Sequence, residues 1–234
     1  MKKRLGLFII LAFSQGAQAL TIDKMVLVGD KAGNGIFTLT NDLQYTSFIT
    51  GEITKYDVDG EIINKTQYTK DNLSDWEITL SNSKIILESG RTKQVGVRSL
   101  CGQSCDFAQD HVYQINFVPT PYAEDGGEAP IVAVNIGYAP LYIIPAAQPD
   151  MKFTIKNLGD KIYVENTGNT FFRLGIDQCS VAVTENCRAA FTVLAGRKKY
   201  YKLPKNTQSD ELKVIIVNHD ETFVRRQVIK LEGE

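Results

Sequence analysis

The sequence predicts an all-β protein of two sandwich domains joined by a short elbow. Nearly every patterned segment alternates apolar and polar residues with period two, the mark of a half-buried strand. Gly, Asn, Asp and Ser clusters punctuate these segments. Two prolines four residues apart, Pro145 and Pro149, interrupt the pattern once near the middle, where they forbid a central strand and favour a stiff extended connector.

Residues 1–19 read as a cleavable export signal. Met1-Lys2-Lys3-Arg4 is followed by the apolar run from Leu5 to Phe13 and by the small-x-small site Ala17-Gln18-Ala19. The apolar run is too short to remain as a membrane anchor. The mature chain is expected to begin at Leu20 and to be a soluble exported protein. Without Lys2, Lys3 and Arg4, 23 basic and 27 acidic residues remain, a net charge of about −4. That mild acidity argues against a nucleic-acid partner. The densest basic cluster, Arg197-Lys198-Lys199, reads as the solvated face of a strand.

In the first domain, residues 20–145, strands are expected near 21–28, 35–40, 46–57, 61–68, 76–80, 84–87, 93–100, 111–118 and 130–144. Turn residues such as Gly33-Asn34-Gly35, Asp57-Val58-Asp59-Gly60 and Ser89-Gly90 separate them. Trp76, the single tryptophan, heads an alternating run and reads as a core or sheet-face anchor. After the linker 146–149, the second domain, 150–234, carries expected strands at 151–157, 161–166, 171–178, 189–194, 198–203, 212–217 and 222–231. Seven short strands in so short a stretch is the pattern of an immunoglobulin-like sandwich.

The four cysteines form two close pairs. In an oxidising compartment, Cys101–Cys105 and Cys179–Cys187 are expected to be structural disulfides closing short loops. A metal site is the alternative, but neither histidine, His111 or His219, lies near a pair. No G-x-S-x-G elbow, phosphate-binding glycine loop or His/Cys/Asp cluster at ligand spacing is present, so the sequence suggests neither enzyme nor cofactor. Surfaces and strand edges are left as the carriers of function.

The segment from Pro130 to Pro145 is unusually long and apolar for an edge strand. Proteins normally blunt such edges with charge or bulges, because unpaired backbone groups beside apolar side chains template pairing with another chain. Alternation places Val132, Val134 and Ile136 on one face and Ala133, Asn135 and Gly137 on the other. The three large residues either face their own core or fill pockets in a partner that lacks a strand, with Ile131 beside them.

Several separated features resemble the PapD-like, usher-dependent periplasmic pilus-assembly chaperones: Leu87-Glu88-Ser89-Gly90 with Val97-Arg98, Tyr113-Gln114-Ile115-Asn116-Phe117-Val118-Pro119, the long apolar strand ending at Pro145, and Val164-Glu165-Asn166-Thr167-Gly168-Asn169 with Phe171-Phe172-Arg173. The resemblance covers essentially the whole mature chain. It implies a non-enzymatic chaperone that holds pilin or fimbrial subunits by donor-strand complementation and delivers them to an outer-membrane usher. It also implies that the free protein has the option of capping itself as a homodimer.

Family members clamp the subunit's terminal carboxylate between two cleft cations. Here the matching positions are Val26 and either Ala139 or Pro140, none of which can donate a charge-assisted bond. This departure suggests a divergent or alternative branch, with Lys24, Arg173 and Lys152 as replacement cations. Arg98 and Asp110 are expected to be structural, Arg98 buried near the domain interface and paired with a carboxylate. Competing readings of the same sequence are a two-domain fibre subunit or adhesin, which would self-polymerise, and an exported carbohydrate-binding module, for which the adjacent Tyr200 and Tyr201 would be pointed to opposite faces.

Overall fold

The computed structural model describes residues 19–102, 105–123 and 136–233. Residues 1–18 of the expected export signal, the segment 124–130, and Ile131, Val132 and Val134 lie outside the described residues.

Among the described residues the first domain contains ten strands: β1 (Leu20–Ile22), β2 (Val26–Val28), β3 (Gly35–Asn41), β4 (Ser47–Asp59), β5 (Ile62–Gln67), β6 (Ile78–Leu80), β7 (Lys84–Leu87), β8 (Thr92–Ser99), β9 (His111–Pro121) and β10 (Leu141–Ile144). They form two sheets. One has the order β1-β3-β8-β6; the other runs β2-β10-β9-β4-β5, with β7 also paired to β4. Between them lies a core in which the rings of Phe37, Phe117, Tyr113 and Tyr142 interlock, Phe37 meeting Phe117 edge-on at 5.7 Å. Tyr68 stacks on Trp76 at 5.3 Å, so the tryptophan is partly buried against this core.

The second domain has seven strands: β11 (Phe153–Asn157), β12 (Lys161–Asn166), β13 (Phe172–Asp177), β14 (Arg188–Val193), β15 (Lys198–Lys202), β16 (Glu211–Val217) and β17 (Val224–Lys230). Sheets β11-β12-β15 and β14-β13-β16-β17 enclose Ile162, Val164, Phe172, Leu174, Leu212 and Ile216. Among the described residues the only helical segments are 3₁₀ turns at Lys70–Asp75 and Lys205–Thr207. The architecture is therefore all-β, two immunoglobulin-like sandwiches.

Two sequence expectations change. The segment 21–28 is not one strand: β1 pairs antiparallel with β3, whereas β2 pairs parallel with β10 in the opposite sheet. Asp23 makes the switch, its backbone N–H donating to the Thr38 carbonyl and its carboxylate accepting the Thr38 N–H. Arg98 is not buried. The alternation that seals Val95 and Val97 turns Arg98 to solvent on β8, opposite Thr79, and it has no ion pair among the described residues.

Both cysteine pairs are disulfides, with Cα separations of 5.1 Å for Cys101–Cys105 and 5.0 Å for Cys179–Cys187.

The elbow is held on two sides. Asp110 lies buried at its inner corner, its carboxylate accepting the N–H of Ala146 at 2.8 Å and of Phe171 at 2.6 Å. Asn169 grips the outer side, donating to the carbonyls of Ala108 and Gln148 and accepting the Asp150 N–H. A second junction forms where the β4–β5 turn reaches the second domain. The Gly60 carbonyl there accepts from the Lys198 N–H and from the Arg197 guanidinium. Between these junctions Tyr56, Val112, Ile143, Phe171 and Leu194 form a buried apolar cluster shared by the two domains.

Candidate functional site: an open strand margin

The segment leading into β10 is half-paired. β10 is hydrogen-bonded to β9 in one antiparallel register, Leu141 opposite Gln114 and Ile144 opposite His111, and the Phe117–Tyr138 bridge continues that register. Tyr138 exchanges both backbone bonds with Phe117, at 2.7 and 3.0 Å, and the Pro140 carbonyl accepts the Ile115 N–H. Even-numbered residues thus spend their backbone groups on β9. Odd-numbered residues face the other way, where β2 takes Leu141 and Ile143: the Leu141 N–H donates to Met25 and the Ile143 carbonyl accepts from Gly29. Before residue 141 β10 has no β2 beside it, because the parallel β2 begins only at Val26, after the chain crosses from the opposite sheet at Asp23. Among the described residues, the backbone groups of Gly137 and Ala139 on this margin have no partner.

Gly137 belongs to the same arrangement. A Cβ there would stand 2.8 Å from the Phe117 carbonyl oxygen, so only glycine lets this stretch lie so close to β9.

Ile136 has the parity of the inward-facing Tyr138, Tyr142 and Ile144. It is nevertheless 57% exposed, as is Val118 at 43% on the neighbouring strand. Ile136 thus continues the row of Tyr138 out into solvent.

The three cations named from the sequence do not converge. Lys24 is exposed beside Asp23, at the start of β2. Lys152 pairs with Asp150, and Arg173, on the outer face of β13, lies 3.6 Å from Glu221. The floor of the cleft carries Val26 opposite Leu141, both half-buried.

Two carboxylates near the elbow are electrostatically distinct. Burial pushes the Asp110 carboxyl above its ordinary value, against the opposing effect of its two backbone hydrogen bonds. Burial also pushes Glu77 up, but hydrogen bonds from His111, Lys55 and Tyr113 outweigh it and hold that carboxyl at about 2. Their distances are 3.0, 2.7 and 2.5 Å. The hydrogen bond to Glu77 raises His111 above 6.5, with desolvation opposing it. Sequence reading missed Glu77 altogether, because its partners lie 22 to 36 residues away. It also took Arg197 for a solvated charge, whereas its guanidinium donates to the Gly60 carbonyl at the interdomain junction.

Among the described residues no group of three or more His, Cys, Asp or Glu side chains could hold a metal ion.

Residues 22–145, the first domain up to the elbow, match the family described as CS5 fimbrial protein N-terminal domain. The chain belongs to that family. No curated protein matches it. Among solved structures, the CS5-type chain is similar to the class 5 fimbriae chaperone CfaA, at 16% identity and a TM-score of 0.52, over 90% of this chain and 98% of that one. A chain of the Salmonella enterica SafA pilin–SafB chaperone complex matches at 12% identity and TM-score 0.58, over 91% and 97%. A chain of the Acinetobacter baumannii CsuC–CsuE chaperone–tip adhesion subunit complex matches at 14% and 0.55, over 90% and 98%. At these identities the likeness is one of fold: the two-domain architecture is that of the fimbrial and pilus chaperones.

Proposed function

We propose that the protein is a non-enzymatic periplasmic chaperone that holds fimbrial subunits by donor-strand complementation and passes them to an outer-membrane usher. The observation that carries this reading is the open margin before Leu141, with unpaired backbone groups at Gly137 and Ala139 and an exposed Ile136 in line with the core. A subunit lacking one strand would take those backbone groups as a ladder and the side chains of Ile131, Val132, Val134 and Ile136 as fillers of its groove. Each side chain contributes ~1.5–3 kcal/mol when fully buried, before ordering costs. The neighbours support the reading, since those named above include chaperones and chaperone–subunit complexes. Of the three candidate cations, Lys24 is the one adjoining this margin, next to Met25, whose carbonyl receives the Leu141 N–H.

Co-expression with fimbrial subunits tests the proposal. The native protein should purify in a one-to-one complex, and Ile136→Asp should abolish the complex while circular dichroism and melting temperature stay unchanged. A variant that still holds the subunit would show the donor strand to be misassigned.

The family description, a fimbrial protein domain, favours a second reading as a fibre subunit. Spontaneous polymerisation of the purified protein alone would support that reading instead.

A further inference from the structure

The sheet β14-β13-β16-β17 has an outward face that neither the elbow nor the strand margin uses. Its inward residues, among them Leu174, Val214 and Ile216, fill the core, so alternation turns Arg173, Gly175, Lys213, Ile215, Val217 and their β17 partners outward. The register sets out what this face displays. Val217 is opposite Val224, Ile215 is opposite Arg226, and Lys213 is opposite Val228. On the other side of β16, Arg173 is opposite Val217 and Gly175 is opposite Ile215.

Four aliphatic side chains are therefore contiguous: Val224 and Val217 as a cross-strand pair, Ile215 next along the same face, and Val228 diagonal to it. Val224 and Val228 are 46% and 55% exposed. Gly175 lets the Ile215 side chain lie down over β13, since a Cβ there would come within 2.9 Å of the Ile215 Cγ2. The result is a shallow aliphatic trough with a cation adjoining each step: Arg173 at Val217, Arg226 at Ile215 and Lys213 at Val228. Glu221 meets Arg173 at 3.6 Å. Lys213 and Arg226 have no ion pair among the described residues, in a chain whose overall charge is slightly negative.

We propose that this trough is a docking surface for an extended acidic polypeptide segment of a partner protein, one that alternates carboxylate and aliphatic side chains. The pattern of the face specifies that chemistry. Aliphatic side chains would enter the trough over Ile215 and Val228, while carboxylates one residue away would meet Arg226 and Lys213. A bilayer fits less well, because the aliphatic floor lies beneath longer cationic side chains and would not reach acyl chains. The surface is remote in sequence from the donor segment, so its role stands or falls separately from the chaperone reading.

The test uses the whole purified protein and a short capped peptide of alternating aspartate and valine, titrated by ¹⁵N NMR. Shifts should map to 173–177, 213–217 and 224–228, weaken at high salt, and lose about tenfold in affinity in Arg226→Glu. Val228→Ser, at an equally exposed position, should weaken binding without altering the charge. A peptide with lysine in place of aspartate should leave these residues unmoved. The proposal is overturned if the aspartate peptide does not perturb this face, if the lysine peptide binds as well, or if Arg226→Glu changes nothing. Binding of phosphatidylglycerol vesicles in preference to the peptide would overturn it equally.

Discussion

Glu77 is a carboxylate that few chains could keep at the lip of a β-sandwich core, and it persists because donors from β4 and β9 close around it. Its folded carboxyl sits at about 2, below its ordinary 4.5. A depressed acid stabilises the fold above its unfolded value and loses that contribution as pH falls through the folded one. Glu77 should therefore stabilise the fold at neutral pH, a contribution that drains away between about pH 4.5 and 2. Urea unfolding midpoints should fall steeply over that interval, and Glu77→Gln should flatten the fall; an equally steep native and variant profile would disprove the assignment. His111 has the opposite sign. Its raised value means that its contribution is complete below 6.5 and declines as pH rises through the folded value. Uncharged polar groups carry comparable weight. Asn166, fully enclosed, donates to the carbonyls of Thr170, Val193 and Leu194 and accepts the Gly168 N–H. Asn166→Ala should cost about 3 kcal/mol, read as a lower unfolding midpoint. A loss within experimental error would mean that water replaces these bonds.

At the scale of elements, strand existence was legible wherever alternation was strong. The seven segments from 151 to 231 each contain a strand, because β11 to β17 are half-buried and display their pattern openly. The sequence misled where long-range pairing overrode local pattern. Residues 21–28 alternate as one strand, yet the Asp23–Thr38 contacts divide them between sheets, and nothing within those residues announces Thr38. Arg98 was misplaced because a motif resemblance was preferred to its own phase, which the neighbours Val95 and Val97 fix. Of the candidate site, the apolar edge before Pro145 was legible, but the point at which the margin opens was not: it is set by where β2 begins, at Val26 opposite Leu141. Gly137 gives this element a test of its own. Gly137→Val would drive a side chain into the Phe117 carbonyl and lift the segment from β9. Stability should drop by about 2 kcal/mol, and the Tyr138 amide should exchange faster than in the native protein. Unchanged exchange there would show that the close approach is not required.

Across the whole molecule, the two sandwiches are coupled by a small core of their own and not by the linker alone. Phe171 is the centre of that coupling: its ring is buried among Tyr56, Val112, Ile143 and Leu194, and its N–H is one of the two that Asp110 accepts. Interfaces of this kind resemble a domain core more than a wet contact between mobile domains, so the native protein should unfold in one calorimetric transition. Phe171→Asp places a charge in that cluster beside the Asp110 carboxylate, which is already disfavoured by burial. Neither domain's own core contains Phe171, so each should still fold. The variant should therefore show two transitions in place of one, and a larger radius of gyration by solution scattering, as the elbow opens. A single undivided transition in the variant would show that the hydrogen bonds at Gly60 and Asn169 suffice to couple the domains, and that the apolar cluster merely fills space between them.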